Sequence, residues 1–240
     1  MLRYALPFPV LPGHSDAQVK EMAEYFRAHP DEFKKSREAQ GVTLERVYLM
    51  KTPMGAFVIA YAEASKSATD VVKGYMESSL DIDRRFIEFI GRVHGFTPEA
   101  AAGMPPPETI GAWTDPAVTT RKKGLAFVAP GIPGKEDDGR ALVKEAFVAK
   151  HDEMTASRRA LKQNVEVVTL VQSPMGPVVA VYVEGDDPVK GNAGFAASQS
   201  TFDRWFKDEL KKVIPPAVDF DKPLPPIEEI FDSVGLLAAV

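Results

Sequence analysis

Apolar positions along the chain recur with two periods. Val19, Met22, Phe26 and Phe33 are spaced three, four and seven apart, and Val143, Phe147 and Met154 four and seven apart. That spacing places each set on one face of a long helix, over about 15–40 and 136–161. Gly41 suits the end of the first helix. Pro30 interrupts the first helix while its counterpart is His151, so a kink is expected in the first helix only. Short runs rich in Val, Ile, Leu and Tyr at 44–51, 56–63, 165–172 and 177–184 read as strands. Tyr4–Val10, Leu125–Pro130, Thr109–Trp113 and Glu229–Ser233 read as further short strands. Helical patterns lie at 68–79 and 83–94, and Asp83 and Asp203 are the expected caps of the helices they begin.

The two sets of elements are copies. Shifting the chain on itself by 121 positions aligns Pro12–Glu63 with Pro133–Glu184 without a gap, and twenty of the 52 aligned pairs are identical. A single deletion then changes the offset to 120, which brings Asp83-Arg84 onto Asp203-Arg204 and Phe86 onto Phe206. The chain is therefore expected to hold two repeats, 1–120 and 121–240, joined near Thr119–Gly124. Each reads β-α-β-β-α-β, the ferredoxin-like order, so the fold class is α+β. Helices cover one sheet face in such a unit, and the other face needs a partner.

Both repeats carry Pro-Met-Gly between two strands, at Pro53–Gly55 and Pro174–Gly176. A type I turn with a left-handed Gly predicts a three-residue hairpin loop ending in a bulge. That register sets Glu45 opposite Glu63 and Val47 opposite Tyr61, and in the second copy Glu166 opposite Glu184 and Val168 opposite Tyr182. Facing carboxylates need a cation between them or a shared proton. Arg37 and Arg158 extend the apolar helix stripe and are the candidate cations. Two readings stay open: a buried ion pair fixing helix on sheet, or the polar end of a ligand pocket. The candidate ligand-binding set is Arg37, Glu45, Tyr61 and Glu63 in the first copy, and His151, Arg158, Glu166, Tyr182 and Glu184 in the second. The second copy is favoured because His151 falls on its inward stripe and its strands carry smaller residues.

Composition narrows the classes. With 45% apolar and 26% charged residues the chain can build a core and a solvated surface. A net charge of −5 without a basic block argues against nucleic-acid and anionic-membrane surfaces. There is no cysteine, which excludes disulfides, thiolate nucleophiles and cysteine metal sites. The four histidines, His14, His29, His94 and His151, form no i,i+4 pair, so no metal site is expected. No segment has the length of an apolar membrane span. The expected setting is cytoplasmic, with a small-molecule ligand as the expected partner, neither nucleic acid nor membrane, and a homo-oligomer compatible with the sequence.

The Pro-Gly-Lys-Glu-Asp entry at Pro133–Asp137 and the Gly-Val-x-x-Glu-x-Val-x-Leu run at Gly41–Leu49 carry a family resemblance. The chain resembles the dimeric α/β-barrel superfamily, which includes antibiotic-biosynthesis-type monooxygenases, and within it a small uncharacterised bacterial branch. The resemblance implies two tandem ferredoxin-like repeats forming an intramolecular barrel, with a pocket between sheet and helices in each half. It does not fix a reaction. A small-molecule binder, a cofactor-independent monooxygenase-like enzyme and a non-catalytic structural or interaction barrel remain as functions. No cofactor is expected. Haem is the alternative, by comparison with chlorite-dismutase-like proteins, which are also fused ferredoxin-like pairs; His151 would be its axial ligand.

Overall fold

The apolar stripe of the first long segment forms two helices. α1 (Asp16–Ala28) starts at a capping box, in which the Ser15 hydroxyl accepts from the Gln18 N–H and the Gln18 side chain reaches back to Ser15. It buries Val19, Met22, Ala23 and Phe26. α2 (Pro30–Gln40) takes Pro30 as its first residue, where the missing N–H costs nothing, and ends at Gly41 with φ +70°. The computed structural model describes residues 1–240 apart from 54, 98, 100–102, 174 and 238–240.

Two units emerge, one of residues 1–107 with 228–240 and one of residues 108–227. In the first, β1 (Leu2–Pro9), β2 (Val42–Thr52) and β3 (Gly55–Ala64) join β8 (Ile227–Asp232) in a sheet of order β1-β3-β2-β8. α3 (Ala68–Glu77), α4 (Asp81–His94) and the short α9 (Val234–Leu237) complete it. In the second, β4 (Glu108–Thr114), β5 (Lys123–Pro130), β6 (Gln163–Ser173) and β7 (Gly176–Gly185) form a sheet of order β4-β6-β7-β5. Its helices are α5 (Glu136–Lys144), α6 (His151–Ala160), α7 (Pro188–Ala197) and α8 (Thr201–Val213). The α+β class and the tandem ferredoxin-like order are as expected.

The compact units do not have the bounds of the sequence repeats. The last strand of each repeat pairs in the sheet of the other: β4 lies beside β6, and β8 beside β2. A repeat boundary follows sequence similarity, whereas a unit boundary follows strand pairing.

Three expectations are corrected. First, the helix is broken in both copies: in the second, a π turn at Glu145–Ala149 and a break at Lys150 separate α5 from α6 without any proline. Second, Asp83 and Asp203 are not caps. The cap positions are Leu80 and Ser200, and both aspartates sit in the first turn, buried. Third, the hairpin register is one residue off. Thr52 pairs with Gly55 and Ser173 with Gly176, so two residues close each loop; of these, Met54 and Pro174 lie outside the described residues. Gly55 (φ +124°) and Gly176 (φ +107°) are the first strand residues rather than bulges. The bulges lie at the far end, at Thr43 and Asn164.

A one-residue shift exchanges the faces of a strand. Glu45 therefore faces Ala62, not Glu63, and Glu166 faces Val183, not Glu184. Glu45, Val47 and Leu49 point to the helices with Val58, and Leu49 and Val58 pack with Phe26, Phe33, Phe89 and Phe231. Tyr48, Ile59, Tyr61 and Glu63 occupy the opposite face, which is also buried.

Candidate functional site

The nine candidate residues do not form one site per copy. On the helix face of unit 1, Arg37 is fully buried and forks onto Glu45, with Nε at 2.8 Å and Nη2 at 3.2 Å from the carboxylate oxygens. Its Nη1 donates to Ser36 at 3.0 Å and lies 3.8 Å from Asp83. Its guanidinium sits over Phe26, Phe33 and Tyr75, 4.4–4.9 Å from the ring centres. Burial alone would lower its pKa, but the charges on Glu45, Tyr75 and Asp83 outweigh that and raise it. Burial drives the Tyr75 phenol pKa upward against the pull of Arg37, and drives Tyr4 upward with help from Glu45.

Unit 2 repeats the arrangement. Arg158 bonds Glu166 through Nε and, at 3.3 Å, through Nη2, and Asp203 lies 3.6 Å from its Nη1. The copies differ at the aspartate. Asp203 Oδ2 accepts from Ser198 at 2.5 Å and Ser200 at 2.8 Å. The counterparts are Ser78 and Leu80, and Leu80 has nothing to donate. Asp83 Oδ2 has no hydrogen-bond partner among the described residues, nor does the Tyr4 hydroxyl.

Tyr61 and Glu63 lie on the other face. The Tyr61 hydroxyl donates to Glu63 at 2.8 Å, and Arg3, directly opposite on β1, approaches the same carboxylate at 3.2 Å. In unit 2 the Tyr182 hydroxyl donates to Glu184 at 2.9 Å, and the Lys122 backbone N–H donates at 2.8 Å. Each carboxylate is thus met by its own donors, so the facing-carboxylate problem posed by the expected register does not arise. The sequence signal for the true partner was weak: Arg3 and Lys122 lie in segments outside the alignable repeat.

His151 is exposed, 3.4 Å from Asp152, rather than on the inward stripe. The π turn buries Phe147, and the break at Lys150 starts a fresh helix that buries Met154 and turns position 151 outward.

The residue that sequence reasoning passed over is His94. It ends α4 and lines a cavity of about 60 Å³ between the sheet and helices of unit 1. The remaining lining is apolar apart from Glu45, and includes Phe8, Phe26, Phe86, Phe89 and Phe231. The His94 Nδ1 lies 2.9 Å from the Pro9 carbonyl oxygen, which can only accept, so Nδ1 carries the proton and Nε2 a lone pair. Burial lowers the His94 pKa, opposed by the Pro9 carbonyl and aided by nearby His14. A neutral imidazole beside an apolar space can accept a hydrogen bond or take up a proton. The last turn of an amphipathic helix, just before Gly95, was the available clue to its inward position. The cavity lies in unit 1, whereas the sequence reading favoured the second copy.

A groove of about 580 Å³ between α1 and α4 shares Met22 and Phe89 with the cavity lining. Among the described residues, no group of three or more His, Asp or Glu is placed to hold a metal ion, and no helix is long and apolar enough to cross a membrane.

A family model described as a family of unknown function (DUF6176) matches residues 4–106. Comparison with curated proteins gives no significant match. Among solved structures, the chain is similar to an anthrone oxidase-like protein, with a TM-score of 0.51 and 12% identity over 95% of this chain and 92% of the other. It is also similar to a candidate monooxygenase from Fusobacterium nucleatum, with a TM-score of 0.49 and 10% identity over 95% and 88% of the two chains. A candidate monooxygenase from Lactobacillus acidophilus gives 0.44 and 9% over 88% of each chain. At such identities the first likeness is one of fold.

Proposed function

We propose that unit 1 binds a small apolar, aromatic molecule between its sheet and helices, and that His94 receives the molecule's one polar group. The observation that carries this reading is the lining of the cavity. It has two polar side chains, and Glu45 is already engaged by Arg37, which leaves the His94 Nε2 lone pair for a ligand hydroxyl. Ligand pockets combine apolar walls with a few such groups. At 60 Å³ the cavity is smaller than the ligand, so binding displaces side chains. Met22 and Phe89, shared with the outer groove, are the ones that must move, and methionine adapts at little cost.

The probe is 1-naphthol, titrated by calorimetry or NMR, with naphthalene as the ligand lacking the hydroxyl. Saturable one-to-one binding is expected. The Ala60→Leu variant, which fills the cavity, should weaken both probes, and His94→Phe should weaken 1-naphthol alone. Unchanged 1-naphthol binding by Ala60→Leu would overturn the assignment.

The second reading is a cofactor-independent monooxygenase-like enzyme. The neutral His94 imidazole favours it, because an apolar cavity with one base suits proton removal from an activated carbon or phenol. The likeness in fold to an anthrone oxidase-like protein suggests anthrone as the first substrate to try. Oxygen uptake with anthrone, lost in His94→Phe, is the expected result; uptake that survives this substitution rejects His94 as the base.

A further inference from the structure

The two copies diverge sharply at one place outside the cavity. At the end of the second helix and the start of the following strand, the first copy has Glu38, Gly41, Val42 and Thr43 where the second has Arg159, Lys162, Gln163 and Asn164. With the loop after β4, these residues line a polar pocket of about 400 Å³ in unit 2, a size suited to a small ligand.

Three features mark it as built. Asn164 is the bulged residue of β6, and bulges re-aim side chains. In the first copy the bulged Thr43 is exposed and its hydroxyl bonds the Glu63 carbonyl at 3.3 Å. Asn164 is instead only 6% exposed, under a loop held by the Asp115 N–H donating to the Asn164 carbonyl at 2.8 Å, and its side-chain Oδ1 has no partner among the described residues. A buried amide oxygen without a donor is costly.

The second feature is Lys162, with φ +59° in the left-handed region where its counterpart is Gly41 at φ +70°. A lysine gains nothing from that conformation, and the backbone contact made there is common to both copies: the Lys162 carbonyl accepts from Asp186 as the Gly41 carbonyl accepts from Ser65. The third is the charge count. Arg159 forks onto Asp115 at 2.7 and 2.8 Å, and Lys122 pairs with Asp186 at 3.0 Å. That neutralises both acids of the lining and leaves Lys162 as a cation with no carboxylate partner among the described residues.

We propose that this pocket binds a small monoanion carrying a hydroxyl beside its charge, of the α-hydroxy carboxylate class. The carboxylate sits at the exposed Lys162, and the hydroxyl donates to Asn164 Oδ1, which is closed to solvent until the loop held by the Asp115–Asn164 hydrogen bond moves aside. An ion without a donor leaves Asn164 unsatisfied, so the hydroxyl decides selectivity. The site is independent of the His94 cavity.

The test titrates the full chain with lactate and with propionate, which lacks the hydroxyl, by NMR or calorimetry. Lactate is expected to saturate in the millimolar range and propionate to bind at least about tenfold more weakly. Each substitution restores the residue of the first copy. Lys162→Gly should lose about tenfold or more in lactate affinity while its melting temperature stays at or above that of the unsubstituted protein, since glycine suits the left-handed backbone. Asn164→Thr should reduce lactate to the level of propionate and leave propionate unchanged. Equal binding of the two probes, no saturation by lactate up to about 50 mM, or full lactate affinity in Lys162→Gly would each overturn the proposal.

Discussion

Removing the guanidinium of Arg37 would leave Glu45 and Asp83 buried without their counter-charge, and would empty a site walled by Phe26, Phe33 and Tyr75. Breaking a buried pair from one side costs about 3–5 kcal/mol, more than the intact pair contributes over an apolar replacement. Arg37→Ala should therefore lower stability by about that amount in urea unfolding, and Arg37→Met/Glu45→Leu should recover part of the loss, the remainder being Asp83 left without its cation. His94 gives a pH signature. Its pKa is lowered in the folded protein by burial, while the unfolded chain titrates near 6.5. The unfolded state then binds more protons in that window, so the His94 contribution is complete above about 6.5 and is lost as pH falls through the lowered folded value. His94→Gln should flatten the decline of stability between about pH 7.5 and 5, measured as urea midpoints.

At the level of elements, the broken helix is informative because the molecule contains its own control. The first copy breaks at His29-Pro30, and the second, without proline, breaks through a π turn at the equivalent place. The break therefore follows from what the helices pack against, not from the proline. Pro30→Ala is expected to leave α1 and α2 separate, with far-ultraviolet circular dichroism unchanged and a stability change within about 1 kcal/mol. A fused helix would show as new amide protection at the substituted position and at Asp31 and Glu32, since the His29 N–H is already bonded to the Tyr25 and Phe26 carbonyls.

Across the whole chain, the exchanged strands join distant sequence. Glu45 donates its N–H to the Ser233 hydroxyl at 2.8 Å and accepts from the Ser233 N–H at 3.0 Å, so the C-terminal strand of the chain completes the sheet of unit 1. Deleting residues 227–240 should raise hydrogen exchange along β2 and leave β6 and β7 protected, although the deleted segment belongs by sequence to the second repeat. Loss of protection in β6 instead would contradict the strand order.

Local pattern and internal similarity were enough to locate the strands, the long helical segments, the duplication and the pairing of Arg37 with a glutamate. Those features depend on the period of apolar residues and on turn chemistry, which neighbouring residues decide among themselves. What local sequence left open was parity and partnership. One residue more or less in a hairpin loop moves Glu63 and Glu184 to the far face, and that count depends on whether Gly55 and Gly176 pair or bulge. His94, Arg3 and Ser233 acquire their roles from segments tens to hundreds of residues away, and the outward turn of His151 comes from a helix register set by packing. Tertiary structure alone decided these, because the free energy of long-range burial and hydrogen bonding chooses among local arrangements that differ by little.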